Sequence, residues 1–136
     1  LDLEAETRPF NLAETSEMQM MKTGALISCA AISGGIVGGA DDQLLAAQAA
    51  YAKHLGLAFQ IADDLLDYDG DSAVLGKPAG QDAPRGKAGF VALMGGDAAA
   101  VEAKRLIDEA NNALAPWQGA GKYMQDLAVF AITRKA

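Results

Sequence analysis

Apolar side chains recur at steps of three and four residues along most of the chain, which is the spacing that predicts α-helices. The longest such pattern runs from about residue 43 to about residue 68. Asp41 or Asp42 is expected to cap the start of this helix, because a short polar side chain there can accept a hydrogen bond from a free backbone N–H. The sequence Asp69-Gly70-Asp71 is expected to end it.

Further helical patterns lie on both sides of this long one. Asn11 and Glu14 have the spacing of a capping box, and the helix that they begin is expected to end at Gly38-Gly39. Two more helices are expected toward the C-terminus: from Gly96 onward, begun by Asp97 and ended before Pro116, and over residues 121–133. The whole pattern predicts an all-α fold, with residues 1–136 in a single helical domain.

One stretch, Gly24 to Ala40, contains no charged residue. It is short for a bilayer span, which needs about 20 apolar residues, and its glycines weaken an isolated helix. We therefore expect a buried helix with a close backbone contact and no membrane span. Cys29 is the only cysteine of the chain and is expected to be a small core residue. A single thiol fits a reducing compartment, so the predicted location is the cytoplasm.

Composition and charge restrict the partners. Hydrophobic residues make up 51% of the 136 residues, which is enough for a buried core, and the net charge is −7. An acidic chain is not expected to bind nucleic acid or an anionic membrane surface. Any anion that it binds must therefore be held by a local group of cations or by a metal ion.

The strongest chemical signal is the sequence FQIADDLLD near the end of the long helix. Gln60, Asp63 and Asp67 are three and four residues apart and share one face, while Asp64 lies about 100° around the helix. Carboxylates four residues apart repel each other, and a shared cation would relieve that repulsion. Hard oxygen ligands without histidine or thiolate suit Mg²⁺ shared with a phosphate. The alternative is a solvated acidic face.

Cations lie on both sides of these carboxylates in the sequence. Residues 71–89 are predicted to form a long, glycine-rich loop that contains Lys77, Arg85 and Lys87. Glycines let the backbone approach an anion, and lysines supply point charges to phosphate oxygens. Lys22-Thr23, at the edge of the uncharged helix, is a candidate third contact to the same diphosphate. On the residues alone, solvated lysines remain the alternative.

Taken together, these segments resemble the trans-isoprenyl diphosphate synthases of the polyprenyl synthetase family, of the short-chain farnesyl and geranylgeranyl type. FQIADDLLD is similar to the second aspartate-rich motif of the family, and MKTGALI resembles its lysine-threonine-glycine helix start. GDSAVLGKPAGQD and RGK resemble the loop after the second motif, and LDLEAE resembles the segment after a glycine-glutamine signature. The matches occur in family order and cover nearly the whole chain.

The resemblance implies the C-terminal half of an isoprenoid-synthase helical bundle. It implies a prenyltransferase that condenses an allylic diphosphate with isopentenyl diphosphate, with Mg²⁺ as cofactor. The residue roles that it implies are Asp63 as Mg²⁺ ligand, supported by Asp64 and Asp67; Lys22, Lys77 and Lys87 on the allylic diphosphate; and Thr23 and Gln60 facing the allylic cation. A homodimer is expected, completed by the N-terminal half of the synthase.

This sequence also departs from the family pattern. The first aspartate-rich motif and the basic residues for isopentenyl diphosphate have no counterpart in these 136 residues. Ala88-Gly89 follows Lys87 where the family usually has a hydroxyl residue, which puts the geometry of that lysine in doubt. The chain is therefore expected to be inactive alone. The alternatives are a non-catalytic helical partner subunit of a two-subunit prenyl synthase and a terpene-cyclase-like relative.

Overall fold

A computed structural model of the chain describes residues 8–75 and 89–134, and this part of the chain contains helices and no strand. The predicted all-α fold is thereby confirmed. In chain order the elements are α1 (Leu12–Gln19), a π-helical turn (Met20–Gly24), α2 (Ala25–Val37), α3 (Asp42–Leu75), α4 (Phe90–Met94), α5 (Gly96–Ala113), a 3-10 turn (Ala115–Gly121) and α6 (Lys122–Thr133).

The starts of α1 and α3 follow from local side-chain chemistry. The Asn11 side chain accepts the Glu14 N–H at 3.0 Å, and the Glu14 carboxylate accepts the Asn11 N–H at 3.0 Å, so the predicted capping box is confirmed. Asp41 Oδ1 accepts the Leu44 N–H at 2.8 Å, which makes Asp41 the cap of α3. Gly39, at φ +74°, makes the turn between α2 and α3 in a conformation that favours glycine.

One predicted helix boundary was wrong. Helix α3 continues to Leu75, past the Asp69-Gly70-Asp71 sequence that was expected to end it, so the first residues of the predicted 71–89 loop are helical. A glycine inside a helix costs about 1 kcal/mol, which is too little to end a helix whose neighbours favour it. Helix α5 runs from Gly96 to Ala113, with Asp97 in its first turn, which confirms its predicted extent.

The core lies between α3, α5 and α6. It is built from alanines and a few large side chains, among them Tyr51, Ile61 and Leu114, which are almost fully buried. The Tyr51 hydroxyl donates to the Met124 carbonyl at 2.7 Å, and burial raises the pKa of Tyr51 to about 12. The Trp117 indole donates to the Leu44 carbonyl at 3.2 Å, which ties the 3-10 turn to α3.

The glycine-rich helix is not buried in this chain, contrary to expectation. Gly35 packs against Leu45 and Gln48 of α3, while Leu26 and Val37 point away and are 73% and 89% exposed. Cys29 is exposed rather than part of the core. By length and composition, the stretch Leu12–Val37 could cross a membrane, and only 11% of its most apolar 18-residue segment is buried. That is weak evidence, because core helices of soluble proteins pass the same test.

Candidate metal and diphosphate site

Lys22 and Thr23 lie on a local change of helix geometry. The segment Met20–Gly24 is π-helical, and the Ala25 N–H donates to the Met20 carbonyl five residues back. Single π-helical turns of this kind occur frequently at functional sites, because the extra residue per turn redirects neighbouring side chains. Lys22 is exposed and Thr23 is partly buried.

This π-helical turn packs closely against α3. A Cβ added at Gly56 would lie 3.1 Å from the Gly24 Cα, so the two backbones approach closely where both residues are glycine. Gln60 and Asp63 follow Gly56 at four and seven residues, roughly 6 and 10 Å farther along the helix axis, on the same face. The contact therefore brings the Lys22-Thr23 turn beside the helix face that carries the predicted Gln60 and Asp63.

Asp63 is paired with a cation from the other end of the chain. The Arg134 guanidinium donates to its Oδ1, and the Arg134 Cζ lies 4.2 Å from the centroid of the Phe59 ring. The Asp63 side chain is 51% exposed, so it also faces solvent. Sequence analysis missed Arg134, because no local pattern connects a residue beyond α6 with the middle of α3.

Asp64 makes a different contact from its neighbour. Its Oδ2 accepts the Val91 N–H at 2.7 Å, so its carboxylate holds the first turn of α4. A Cβ at Gly89 would lie 2.4 Å from Asp64 Oδ1, so any larger residue at this position would displace the Asp64 carboxylate. The sequence places Asp64 in the predicted metal motif, whereas the structure shows its carboxylate bound to backbone.

The described residues do not bring all three predicted carboxylates into one cluster, and no group of three His, Cys, Asp or Glu side chains within 8–75 and 89–134 could hold a metal ion. Asp67 is exposed one helical turn beyond Asp63. Two exposed carboxylates on one face still fit Mg²⁺, which binds through one or two carboxylates and completes its shell with water and substrate phosphates. Lys77 and Lys87, predicted to bind the same diphosphate, lie outside the described residues.

Comparison with known proteins decides the family. The model of the polyprenyl synthetase family matches residues 1–117. The chain belongs to this family. The resemblance seen in FQIADDLLD and MKTGALI is thereby confirmed, and the all-α isoprenyl diphosphate synthase fold agrees with the helices described above.

Among polyprenyl synthetases, the chain is similar to curated enzymes and to solved structures. It is 38% identical over 134 residues to a dimethylallyltranstransferase of Fischerella ambigua, covering 98% of this chain and 39% of that one. It is 41% identical over 115 residues to the farnesyl diphosphate synthase of Escherichia coli, covering 84% and 38%. The apo crystal structure of an FPP/GFPP synthase from Zymomonas mobilis matches with a TM-score of 0.79 and 35% identity, covering 96% and 42%. The chain thus spans about two fifths of the length of these relatives.

Proposed function

We propose that this chain forms the second metal–diphosphate site of a trans-prenyltransferase, and that the full-length protein condenses an allylic diphosphate with isopentenyl diphosphate. The observation that carries the proposal is the close approach of Gly24 and Gly56, because it sets a lysine and a hydroxyl beside an acidic helix face. Loss of a diphosphate leaving group requires charge stabilisation at the leaving oxygens, and such an arrangement supplies it. Family membership and the names of the relatives support the same reaction class.

The described residues suit distinct tasks in this reaction. Asp63 and Asp67 are the proposed ligands of Mg²⁺, which when bound would neutralise the diphosphate leaving group. Asp64 supports them indirectly, since its carboxylate fixes α4 against α3. Lys22 would hold the allylic diphosphate, and the oxygens of Thr23 and Gln60 would face the developing allylic cation.

Other parts of the proposal concern the whole protein. Lys77 and Lys87 would complete the cations around the diphosphate. The first aspartate-rich motif has no counterpart in these 136 residues, so the rest of the full-length protein would supply it together with the isopentenyl diphosphate site. A homodimer in the cytoplasm is part of the same proposal.

The test is Asp63→Asn in the full-length protein, with Asp108→Asn as the matched control, because both carboxylates are exposed on helices. Removal of one group that stabilises transition-state charge costs roughly 100-fold to 1000-fold in turnover. Asp63→Asn should therefore lose that much in the rate of isopentenyl diphosphate consumption, whereas Asp108→Asn should keep the wild-type rate. Wild-type turnover in Asp63→Asn would remove Asp63 from the site.

The same assay separates the alternatives. A terpene-cyclase-like enzyme would form product from an allylic diphosphate without isopentenyl diphosphate, since only a condensing enzyme consumes the second substrate. A non-catalytic partner subunit would show no turnover in the wild-type protein, and its turnover would appear only on addition of a separate catalytic subunit.

A further inference from the structure

Arg134 is held in a fixed position beside Asp63. Its backbone, extended after α6, donates its N–H to the Phe130 carbonyl at 3.0 Å. Its side chain is only 19% exposed, although it lies at the end of a helix. A guanidinium that is this well covered does not move freely in solvent, so its contact with Asp63 is a built feature of the fold.

Two further contacts orient this guanidinium. Its Nη1 donates to the Ala131 carbonyl, and its Cζ lies 4.2 Å from the Phe59 ring centroid. Phe59 and Asp63 are one helical turn apart, so ring and carboxylate contact the guanidinium from the same face of α3. A planar guanidinium suits both contacts at once, because it stacks on aromatic rings and donates in its own plane.

The contact has a consequence for metal binding at Asp63. Carboxylates at positions 63 and 67 repel each other, and a cation next to Asp63 relieves that repulsion. In this structure the cation is Arg134, and a divalent metal at the same carboxylate would meet a positive charge within a few ångströms. Metal and guanidinium therefore oppose each other at Asp63.

On the basis of the proposed function, we propose that Arg134 is an internal counter-ion that competes with divalent metal for Asp63 in the substrate-free protein. Free metal then binds weakly. Binding of a metal ion together with a diphosphate is opposed less, because the diphosphate brings negative charge that the displaced guanidinium can face. Arg134 thereby favours loading of the metal with the substrate over loading of the metal alone.

The experiment measures binding of Mn²⁺, as a paramagnetic substitute for Mg²⁺, to the substrate-free full-length protein by the loss of the free-ion resonance signal. Arg134→Gln is expected to raise the Mn²⁺ affinity about threefold to fivefold, the upper range for loss of one partly exposed charge contact. Arg134→Lys keeps the charge but loses the planar contacts to Phe59 and the Ala131 carbonyl, so its Mn²⁺ affinity should lie between those of wild type and Arg134→Gln. Arg105→Gln is the control, because it changes the net charge by the same amount at a different place. Arg105 pairs with Glu102 at 2.6 Å on α5, so its replacement should leave the Mn²⁺ affinity unchanged.

An unchanged or lower Mn²⁺ affinity in Arg134→Gln would overturn the competition. Should this variant fold poorly, Arg134→Met keeps the packing of the side-chain stem and gives the same test. Asp63→Asn separates the two proposals: wild-type Mn²⁺ binding in that variant removes Asp63 from the metal site. Loss of Mn²⁺ binding there, with no gain in Arg134→Gln, removes only the competition.

Discussion

The Asp64 carboxylate accepts a hydrogen bond from the backbone of α4, while Asp63 faces solvent and the Arg134 guanidinium. The Asp64–Val91 hydrogen bond of 2.7 Å satisfies one of the N–H groups that the start of a helix leaves without an internal partner. Helix α4 has only five residues, so it has few hydrogen bonds of its own. At the scale of single residues, the two aspartates of one motif therefore have different roles. Asp63 is proposed to bind the metal ion, whereas Asp64 fixes the position of α4.

Asp64→Ala should lower the free energy of unfolding by about 1–2 kcal/mol, because it removes a capping acceptor and leaves the Val91 N–H without its partner. Asp67→Ala is the matched control on the same helix. It should leave the stability unchanged or raise it by a few tenths of a kcal/mol, roughly the size of the repulsion that it removes. Urea denaturation of both variants checks the difference. Equal stabilities would mean that Asp64 does not cap α4 in solution.

The placement of single residues could be predicted from sequence where it depends on local spacing, and could not be predicted where it depends on partners distant in the chain. The shared face of Gln60, Asp63 and Asp67 follows from helical spacing alone. The orientation of Asp64 depends on its contact with Gly89, the residue that caps the start of α4. The pairing of Asp63 with Arg134 depends on how α6 packs on α3. No spacing rule contains that information.

At the scale of helices, the same distinction applies. The Asn11–Glu14 box and the extent of α6 could be predicted, because capping residues and apolar periodicity mark them. The end of α3 could not, since a single glycine cost is small beside the packing of a long helix. Sequence suggested a close backbone contact near the glycine-rich helix, and the structure shows where it is: Gly24 against Gly56.

Gly56→Ala should destabilise the 136-residue chain by about 1–2 kcal/mol, because its Cβ would lie 3.1 Å from the Gly24 backbone and the two helices would have to separate. Gly34→Ala is the same substitution in α2 at a position with no atom within 4 Å of the new Cβ. It should stabilise the chain by up to about 1 kcal/mol through helix propensity. Thermal unfolding measures both. Stabilisation by Gly56→Ala would show that the contact is looser than described.

At the scale of the whole molecule, the chain leaves a large apolar surface uncovered. Met21, Leu26, Ile36 and Val37 all lie on the stretch Leu12–Val37 and are 60% or more exposed. Several large apolar side chains exposed on one helical stretch are consistent with a surface that contacts protein or membrane. Since the chain spans about two fifths of the length of its relatives, we expect the rest of the full-length protein to cover α2. The sequence-based expectation of a buried helix would then describe the longer protein.

Leu26 and Val101 provide a matched test of this expectation, because they are 73% and 70% exposed and each lies on a helix. In the 136-residue chain, the difference in helix propensity should make aspartate cost only about 0.5 kcal/mol at Leu26 and less than that at Val101. In the full-length protein, Leu26→Asp should cost about 3 kcal/mol or more, because a covered α2 would bury an unpaired carboxylate, while Val101→Asp should cost no more than before. Denaturant unfolding of both lengths measures the four values. Equal small losses of stability in the full-length protein would contradict the covering of α2. If the full-length protein instead bound lipid vesicles and Leu26→Asp abolished that binding, the helix would be a membrane contact.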